Sequence, residues 1–281
     1  MAGKMYAIDS SRAFYELDIT NGSRTSLGTV SANAGTTAGL AYDEGTGTTY
    51  LTSTSTDSLY TLNLTTLAAT LVGAYGDSSI VMHGLEIANG NLYGASGGGG
   101  NYNFYQINKN TGVANLIGGL GTTSFTNLGF NSDTGVMYAT HSADDSLYTV
   151  DLNTGALTLV GPLLGPTNPH GLAYNRDNQT MYVICSNTDT LYTVNLQTGA
   201  ATVVGLPGSG NYLGLVYVPE SGYRVTGSIH LNDTVAAPTF SRAIAVKLTQ
   251  GSTVINGVAN VFGTGNYALT VPSSVVGAAT L

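Results

Sequence analysis

Three of the four histidines are the side chains of this sequence best suited to chemistry near neutral pH. His83, His141 and His170 lie in or beside short strand-like segments, and Cys185 ends a similar segment. Imidazole titrates near neutrality and binds zinc or copper, so these residues are candidates for a ligand site, a general base or metal ligands. No two of them have a metal-ligand spacing, so only the fold can bring them together. The alternative is that they are solvated or cap loops, and we expect no metal site.

Short polar runs suggest a second kind of chemistry, sugar binding. The segments ASGGGGNYN from Ala95 and CSNTDT from Cys185 are rich in small residues that can hydrogen-bond sugar hydroxyls. Tyr102 and Tyr212 would then stack on the face of a sugar ring. Solvated turns have the same composition, so both interpretations stay open.

Other catalytic and cofactor patterns are weak. Asp144 and Asp145 are adjacent, so in an extended chain they point to opposite sides and make a poor glycosidase pair. The acidic turns that begin at Asp43 and Asn131 lack the ligand density of a calcium loop, so calcium is only weakly indicated. Gly97 to Gly100 has neither the context nor the lysine of a phosphate loop. No Gly-x-Ser-x-Gly elbow with triad partners is visible. We therefore expect no catalytic residues and no resident cofactor.

An internal repeat of 43 to 45 residues must position all of these side chains. It is marked by five tyrosines in similar segments: Tyr15, Tyr60, Tyr105, Tyr148 and Tyr192. Each repeat contains a GLAY-like strand a, a strand b with a central tyrosine, a strand c such as LYTVDL and a strand d such as TLVG. The c and d strands are joined by an Asn/Asp-x-x-Thr-Gly turn, in which glycine supplies a positive φ. Four strands in about 44 residues predict a β-propeller blade.

The two ends of the repeat array predict how the ring closes. The chain begins with strand b, MYAIDS from Met5, and the missing strand a follows the fifth strand d as LGLVYVP from Leu213. A blade assembled from both ends removes the sheet edges that an open array would expose. We therefore predict an all-β, five-bladed propeller over residues 1–219.

The repeat resembles the propellers with Gly-Leu-Ala-Tyr and Leu-Tyr-x-Ile-Asp-x-x-Thr-Gly repeats that occur in secreted and surface proteins of bacteria. The resemblance covers about three quarters of the chain and implies the fold. It implies almost nothing about activity, because propellers serve as lectins, hydrolases, lyases and scaffolds.

Residues 220–281 no longer follow the repeat. They contain four or five segments of alternating apolar residues and resemble part of an immunoglobulin- or prealbumin-like sandwich, which needs about seven strands and about 100 residues. Three explanations remain: a small sandwich-like module, a fragment of a longer chain, or a module completed by a strand from another subunit. The last segment is uncharged and rich in β-branched residues, and the candidate assembly residues are Ser273, Val275, Val276 and Leu281.

The low content of charged residues bears on the partners of the protein and on its localisation. Only 9% of the 281 residues are charged, against about a quarter in a typical soluble domain. The net charge of −8 repels phosphate and argues against a nucleic-acid partner. MAGKMYAIDS at the N-terminus lacks the apolar core of a signal peptide, so the protein is either cytoplasmic or a mature form from which a signal was removed. The scarcity of lysine and glutamate favours export, and we expect an extracellular or cell-surface protein.

These observations favour a non-enzymatic structural or interaction protein. We expect a self-assembling surface or filament subunit, joined to its own copies or to a cell-surface component through strand exchange by the C-terminal module. A glycan-binding propeller is the alternative. A hydrolase or lyase at the channel mouth is the second alternative.

Overall fold

The computed structural model describes residues 3–98, 100–121, 125–219, 222–228, 241–250, 253–262 and 266–272. The four candidate assembly residues Ser273, Val275, Val276 and Leu281 lie outside these ranges. The described elements are strands, apart from one 3₁₀ turn at Ala32–Ala34. The described residues include no helix long and apolar enough to cross a membrane.

Twenty strands form five four-stranded antiparallel sheets, which are the blades of a β-propeller. Blade 1 contains β1 (Lys4–Asp9), β2 (Ala13–Leu17) and β3 (Arg24–Thr29). Blade 2 contains β4 (Thr37–Asp43), β5 (Thr48–Ser53), β6 (Ser58–Leu62) and β7 (Ala69–Ala74). Blade 3 contains β8 (Met82–Ala88), β9 (Asn91–Ser96), β10 (Asn103–Ile107) and β11 (Ala114–Gly119).

The last two blades follow in chain order. Blade 4 contains β12 (Phe125–Asn131), β13 (Val136–His141), β14 (Ser146–Val150) and β15 (Leu157–Pro162). Blade 5 contains β16 (Pro169–Asn175), β17 (Thr180–Cys185), β18 (Thr190–Val194) and β19 (Ala201–Gly205). β20 (Tyr212–Val218) then completes blade 1.

The ring closes as the sequence predicts. β20 pairs antiparallel with β1, from Lys4 opposite Val218 to Asp9 opposite Tyr212, and the strand order of blade 1 is β20-β1-β2-β3. The innermost strand of this blade therefore comes from one end of the repeat array and its other three strands from the other end. The predicted five-bladed, all-β architecture is confirmed.

Glycines let the innermost strands approach one another around the channel. A Cβ atom at Gly39 would lie 2.5 Å from the carbonyl oxygen of His83, and one at Gly171 would lie 2.5 Å from the backbone nitrogen of Leu215. The next residue of each strand is a buried leucine, and these are Leu40, Leu85, Leu128, Leu172 and Leu215. The empty space among these residues is at most about 150 Å³. Drug-sized ligands occupy pockets of roughly 300–1,000 Å³, so the middle of the channel is filled by its own side chains.

A second glycine contact explains why two parts of the repeat occur together. The glycine near the end of strand d in one blade touches the Thr-Gly turn of the next blade, as Gly118 touches Thr154 and Gly161 touches Thr198. A side chain at these glycines would collide with a backbone carbonyl. The TLVG segment and the Asn/Asp-x-x-Thr-Gly turn are therefore two halves of one contact between blades.

The C-terminal strands form a unit of their own. The chain divides into two compact units, and one of them is Lys4–Val218. The other contains a sheet with the strand order β21-β24-β23-β22. Its strands are β21 (Gly222–Ser228), β22 (Ser241–Gln250), β23 (Thr253–Phe262) and β24 (Asn266–Pro272). The described strands make one sheet, and the sandwich resemblance stays a prediction.

Candidate functional site

Two of the predicted histidines lie at the same end of the propeller channel. We call the end where the innermost strands begin the upper mouth and the opposite end the lower mouth. His83 and His170 are the second residues of β8 and β16, and both therefore lie at the upper mouth. Within the described part of the chain, the buried Nδ1 atom of each has no hydrogen-bond partner.

A β-bulge determines the position of these side chains. The pairing of β8 with β9 shifts register between Met82 and Gly84, and that of β16 with β17 shifts between Pro169 and Leu172. His83 and His170 are each left unpaired at the bulge. Bulges commonly re-aim a side chain beside a functional site, because the extra residue breaks the alternation of the strand.

The two imidazoles are neutral at physiological pH. Burial lowers the pKa of His83. Burial, together with repulsion from His83, lowers the pKa of His170 to about 4. The two rings are therefore close enough to interact, and each keeps a nitrogen lone pair that can accept a hydrogen bond. The corresponding residues of blades 1 and 2 are Leu213 and Ala38, which add no polar group.

His141 belongs to a different cluster. It ends β13, and its Nδ1 atom lies 2.7 Å from Oδ1 of Asp144 in the following loop. Its ring packs against Phe125, with ring centroids 4.6 Å apart. Tyr148 donates a hydrogen bond of 2.7 Å to the other oxygen of Asp144, and this bond, with burial, raises the pKa of Tyr148 to about 12. His141 thus holds its own loop together, as the loop-capping alternative proposes.

Other residues at the ends of the b strands also bond to nearby loops. Oδ1 of Asp9 accepts hydrogen bonds from the backbone N–H groups of Ser11 and Ala13, at 2.9 and 2.8 Å. Ser96 donates from its hydroxyl to the carbonyl oxygen of Asn101 at 2.8 Å. Cys185 is fully buried and donates from its thiol to the carbonyl oxygen of Thr167. These bonds hold the b–c loops of blades 1 and 3 and, through Cys185, the loop between β15 and β16.

Within residues 3–98, 100–121 and 125–219, no three His, Cys, Asp or Glu side chains come together in a way that could hold a metal ion. The reason is that His83 and His170 lie together at the upper mouth, whereas His141 bonds to Asp144 in a separate cluster. His230, the fourth histidine, lies outside the described residues.

The two candidate stacking tyrosines have different surroundings. Tyr212 is fully buried, and its hydroxyl donates to the carbonyl oxygen of Gly208 at 2.8 Å. Its ring packs edge-on against Tyr15 at 5.8 Å, so neither of its faces is open to a ligand. Tyr102 is half-buried in the b–c loop of blade 3 and retains accessible surface.

Glu86 is an acidic residue of the innermost strands that the sequence analysis did not single out. It occupies a position where the other blades have Ala41, Gly129, Ala173 and Val216. Its carboxylate accepts hydrogen bonds from the backbone N–H groups of Ile87 at 2.8 Å and Phe130 at 3.1 Å. Some of its surface remains accessible, but protein atoms surround the carboxylate closely, and burial raises the pKa of Glu86 to about 8. The sequence signal for this residue is GLEI in blade 3, where blades 2 and 5 have GLAY.

Comparisons with known proteins identify the fold and no family. No family model matches the chain, and no curated protein matches it. Among solved structures, the chain is similar to one in a nidogen/laminin complex, with a TM-score of 0.55 and 13% identity over 75% of this chain and 83% of the other. It is also similar to a Bacteroides thetaiotaomicron protein of unknown function, with a TM-score of 0.55 and 15% identity over 78% of this chain and 65% of the other.

A third similarity is weaker. Virginiamycin B lyase from Staphylococcus aureus matches with a TM-score of 0.47 and 10% identity, over 92% of this chain and 87% of the lyase. At these identities the likenesses show a propeller fold alone, and propellers have many unrelated functions.

Proposed function

We propose that the protein is a non-enzymatic structural or interaction protein, which acts outside the cell or at its surface and associates with copies of itself. The observation that carries this proposal is the open sheet of the C-terminal unit. β22 is ten residues long and pairs with β23 on one side, and no described strand pairs with its other side. An unpaired strand edge is a template for a strand from another chain.

In this proposal the donor strand is the segment from Ser273 to Leu281. It contains no charged residue, and the β-branched Val275 and Val276 favour an extended chain. The low charge of the whole protein supports association as well, because few charged groups would lose their hydration at an interface between copies.

Electron microscopy and light scattering of the full chain test this proposal. We expect filaments, or oligomers whose mass rises with protein concentration. Val275→Asp and Val276→Asp place a charge on opposite faces of an extended segment, so at least one of them should abolish association. Thr65→Asp, in an exposed turn of blade 2, is the matched control and should leave association unchanged. A protein that stays monomeric at high concentration would contradict the proposal.

Ligand binding at the upper mouth is a second candidate function. The observation that favours it is the pair of buried imidazole nitrogens of His83 and His170, with the half-exposed Tyr102 on a b–c loop of the same end. A neutral imidazole and an accessible aromatic ring suit the hydroxyl groups and the apolar face of a sugar. A glycan array tests this function, and His170→Ala and Tyr102→Ala should each weaken any binding that it detects. Hydrolase or lyase activity at the same mouth would appear as turnover of the bound glycan.

A further inference from the structure

The lower mouth of the propeller contains a buried arginine with unused donors. Arg176 directly follows β16 and is 8% exposed, whereas Glu44 and Ser132 at the same place in blades 2 and 4 are exposed. Nη1 of Arg176 donates to a carboxylate oxygen of Glu44, but Nη2 has no partner within the described ranges. Nε lies 3.9 Å from Oδ1 of Asp177, which is beyond hydrogen-bond distance. Burying a donor without an acceptor costs free energy, so Nη2 marks a place where an acceptor from a ligand would be stabilising.

The ion pair of Arg176 and Glu44 joins two blades that are not neighbours. Arg176 belongs to blade 5, Glu44 belongs to blade 2, and blade 1 lies between them in the ring. The turns concerned connect the two innermost strands of a blade. Blade 1 has no such turn, because its two innermost strands, β20 and β1, are far apart in the sequence. The pair therefore crosses the side of the lower mouth where one of the five turns is missing.

Tyr42 adds a second donor beside the arginine. It is the sixth residue of β4 and is half-buried, and its hydroxyl makes no hydrogen bond with another described residue. Tyr42 lies two residues before Glu44, near the end of β4 that leads into the same turn of the lower mouth. Burial raises the pKa of Tyr42, and the charges of Glu44 and Arg176 both act on it.

The other acidic groups of the lower mouth already have partners. Asp177 accepts a hydrogen bond from the hydroxyl of Tyr217. Asp43 forms an ion pair with Lys109 at 2.6 Å. Once Glu44 moves away, the charges of Arg176 and Asp177 balance, and those of Lys109 and Asp43 balance as well. Asp133, in the corresponding turn of blade 4, accepts a hydrogen bond of 2.7 Å from the hydroxyl of Tyr174, so the anion would be held by the paired donors of Arg176 and not by an excess of positive charge.

We infer that Arg176 and Tyr42 form a binding site for the carboxylate group of a ligand, and that Glu44 occupies this site as an internal competitor. The bond to Glu44 shows that the guanidinium can donate to a carboxylate at this position. Its side chain is 47% exposed, so its carboxylate can move into solvent and leave the buried guanidinium to a ligand. Nη1 and Nη2 can then both donate to the two oxygens of one carboxylate, which is the strongest pairing available to arginine. This site is independent of the proposed self-association.

Acetate is the simplest probe of the site. NMR of the arginine side-chain N–H groups and thermal unfolding should both show saturable binding of acetate to the full chain at low salt. Glu44→Gln removes the competitor and should tighten acetate binding by at least about fivefold, the upper value for an exposed ion pair, because the Arg176 partner is buried. Arg176→Gln should abolish the response. Arg176→Lys keeps the charge but loses the paired donors, and should bind acetate more weakly than the native protein.

The controls separate this site from general effects of charge. Lys4→Gln removes a positive charge at the lower end of blade 1, where Lys4 lies opposite Val218 and forms an exposed ion pair with Glu16, and this nearby change of charge should leave acetate binding unchanged. If Arg176→Gln fails to fold, the tighter binding expected for Glu44→Gln still tests the proposal, because Glu44 is exposed. The proposal is overturned if neither the native protein nor Glu44→Gln binds acetate, or if Lys4→Gln weakens binding as much as Arg176→Gln. Inorganic phosphate binding in preference to acetate would show that the ligand class is wrong.

Discussion

Gly205, the last residue of blade 5, packs against the backbone of Gly22 in the turn of blade 1. A Cβ atom at Gly22 would lie 2.5 Å from the Cα atom of Gly205, and one at Gly205 would collide with the carbonyl oxygen of Asn21. The same contact joins consecutive blades elsewhere, but here it joins the last repeat to the first. It is therefore part of the closure of the ring, together with the pairing of β20 and β1.

Gly205→Ala should destabilise the propeller by about 1–3 kcal/mol, because the new methyl group overpacks a contact between two backbones. Gly205 has no positive φ, so the effect reports the collision and not backbone strain. Urea unfolding followed by circular dichroism measures it. Gly119→Ala is the matched control, since a Cβ atom there would lie 3.6 Å from a side-chain oxygen of Asn103, at an ordinary contact distance. Equal stabilities of the two variants would show that the contact is not tight.

Glu86→Gln should change how stability depends on pH. The folded state holds the carboxyl proton more tightly than the unfolded state, because the pKa of Glu86 is raised to about 8 from its usual 4.5. Stability is therefore lost as pH rises from 4.5 to 8, by at most about 5 kcal/mol at about 1.4 kcal/mol per pKa unit. The free energy of unfolding of the variant, relative to the native protein, should rise over this range. A difference that is constant with pH would contradict the prediction.

His83→Gln should raise the pKa of His170. Repulsion from His83 is the second cause, after burial, of the low pKa of His170, and glutamine removes this repulsion while keeping much of the side-chain volume. Imidazole NMR resonances, titrated with acid, measure the change. His141→Gln is the control, because His141 bonds to Asp144 in a separate cluster. An unchanged pKa of His170 in His83→Gln would show that the two rings do not interact.

The same pair should make the protein sensitive to acid. The unfolded state binds protons more tightly at both histidines, because folding lowers both pKa values. Their contribution to stability is complete above pH 6.5 and is lost as the pH falls towards 4. The variant with both His83→Gln and His170→Gln should lose less stability between pH 6.5 and 4 than the native protein. Thermal unfolding at a series of pH values measures this difference.

The thiol of Cys185 should be inert until the propeller unfolds. The side chain is fully buried and donates a hydrogen bond to the carbonyl oxygen of Thr167. A thiol reagent such as Ellman's reagent should therefore react at the rate of unfolding in native buffer and at once in guanidinium chloride. Fast reaction in native buffer would mean that the loop between β15 and β16, which contains Thr167, opens readily.

The sequence alone determined the number of blades and the closure of the ring. Five tyrosines at nearly equal intervals require five copies of one unit, and a repeat array that starts at strand b and supplies strand a last predicts a blade made from the two ends of the array. The strands of blades 2 to 5 pair with neighbours close in the sequence, so local patterns suffice to define them. Cys185, which ends a strand-like segment of the sequence, accordingly lies at the end of β17 and is buried.

The tertiary structure decided which side chains meet at the site. Residue alternation in strands predicts on which face a side chain lies, but the bulge at the start of the innermost strands breaks that alternation at His83 and His170. His141 bonds to its own loop, because the b strand ends there and the loop supplies Asp144. The raised pKa of Glu86 and the pairing of Arg176 with Glu44 depend on side chains brought together by the closed ring. Spacing within one repeat carries no information about such contacts, since they form between repeats.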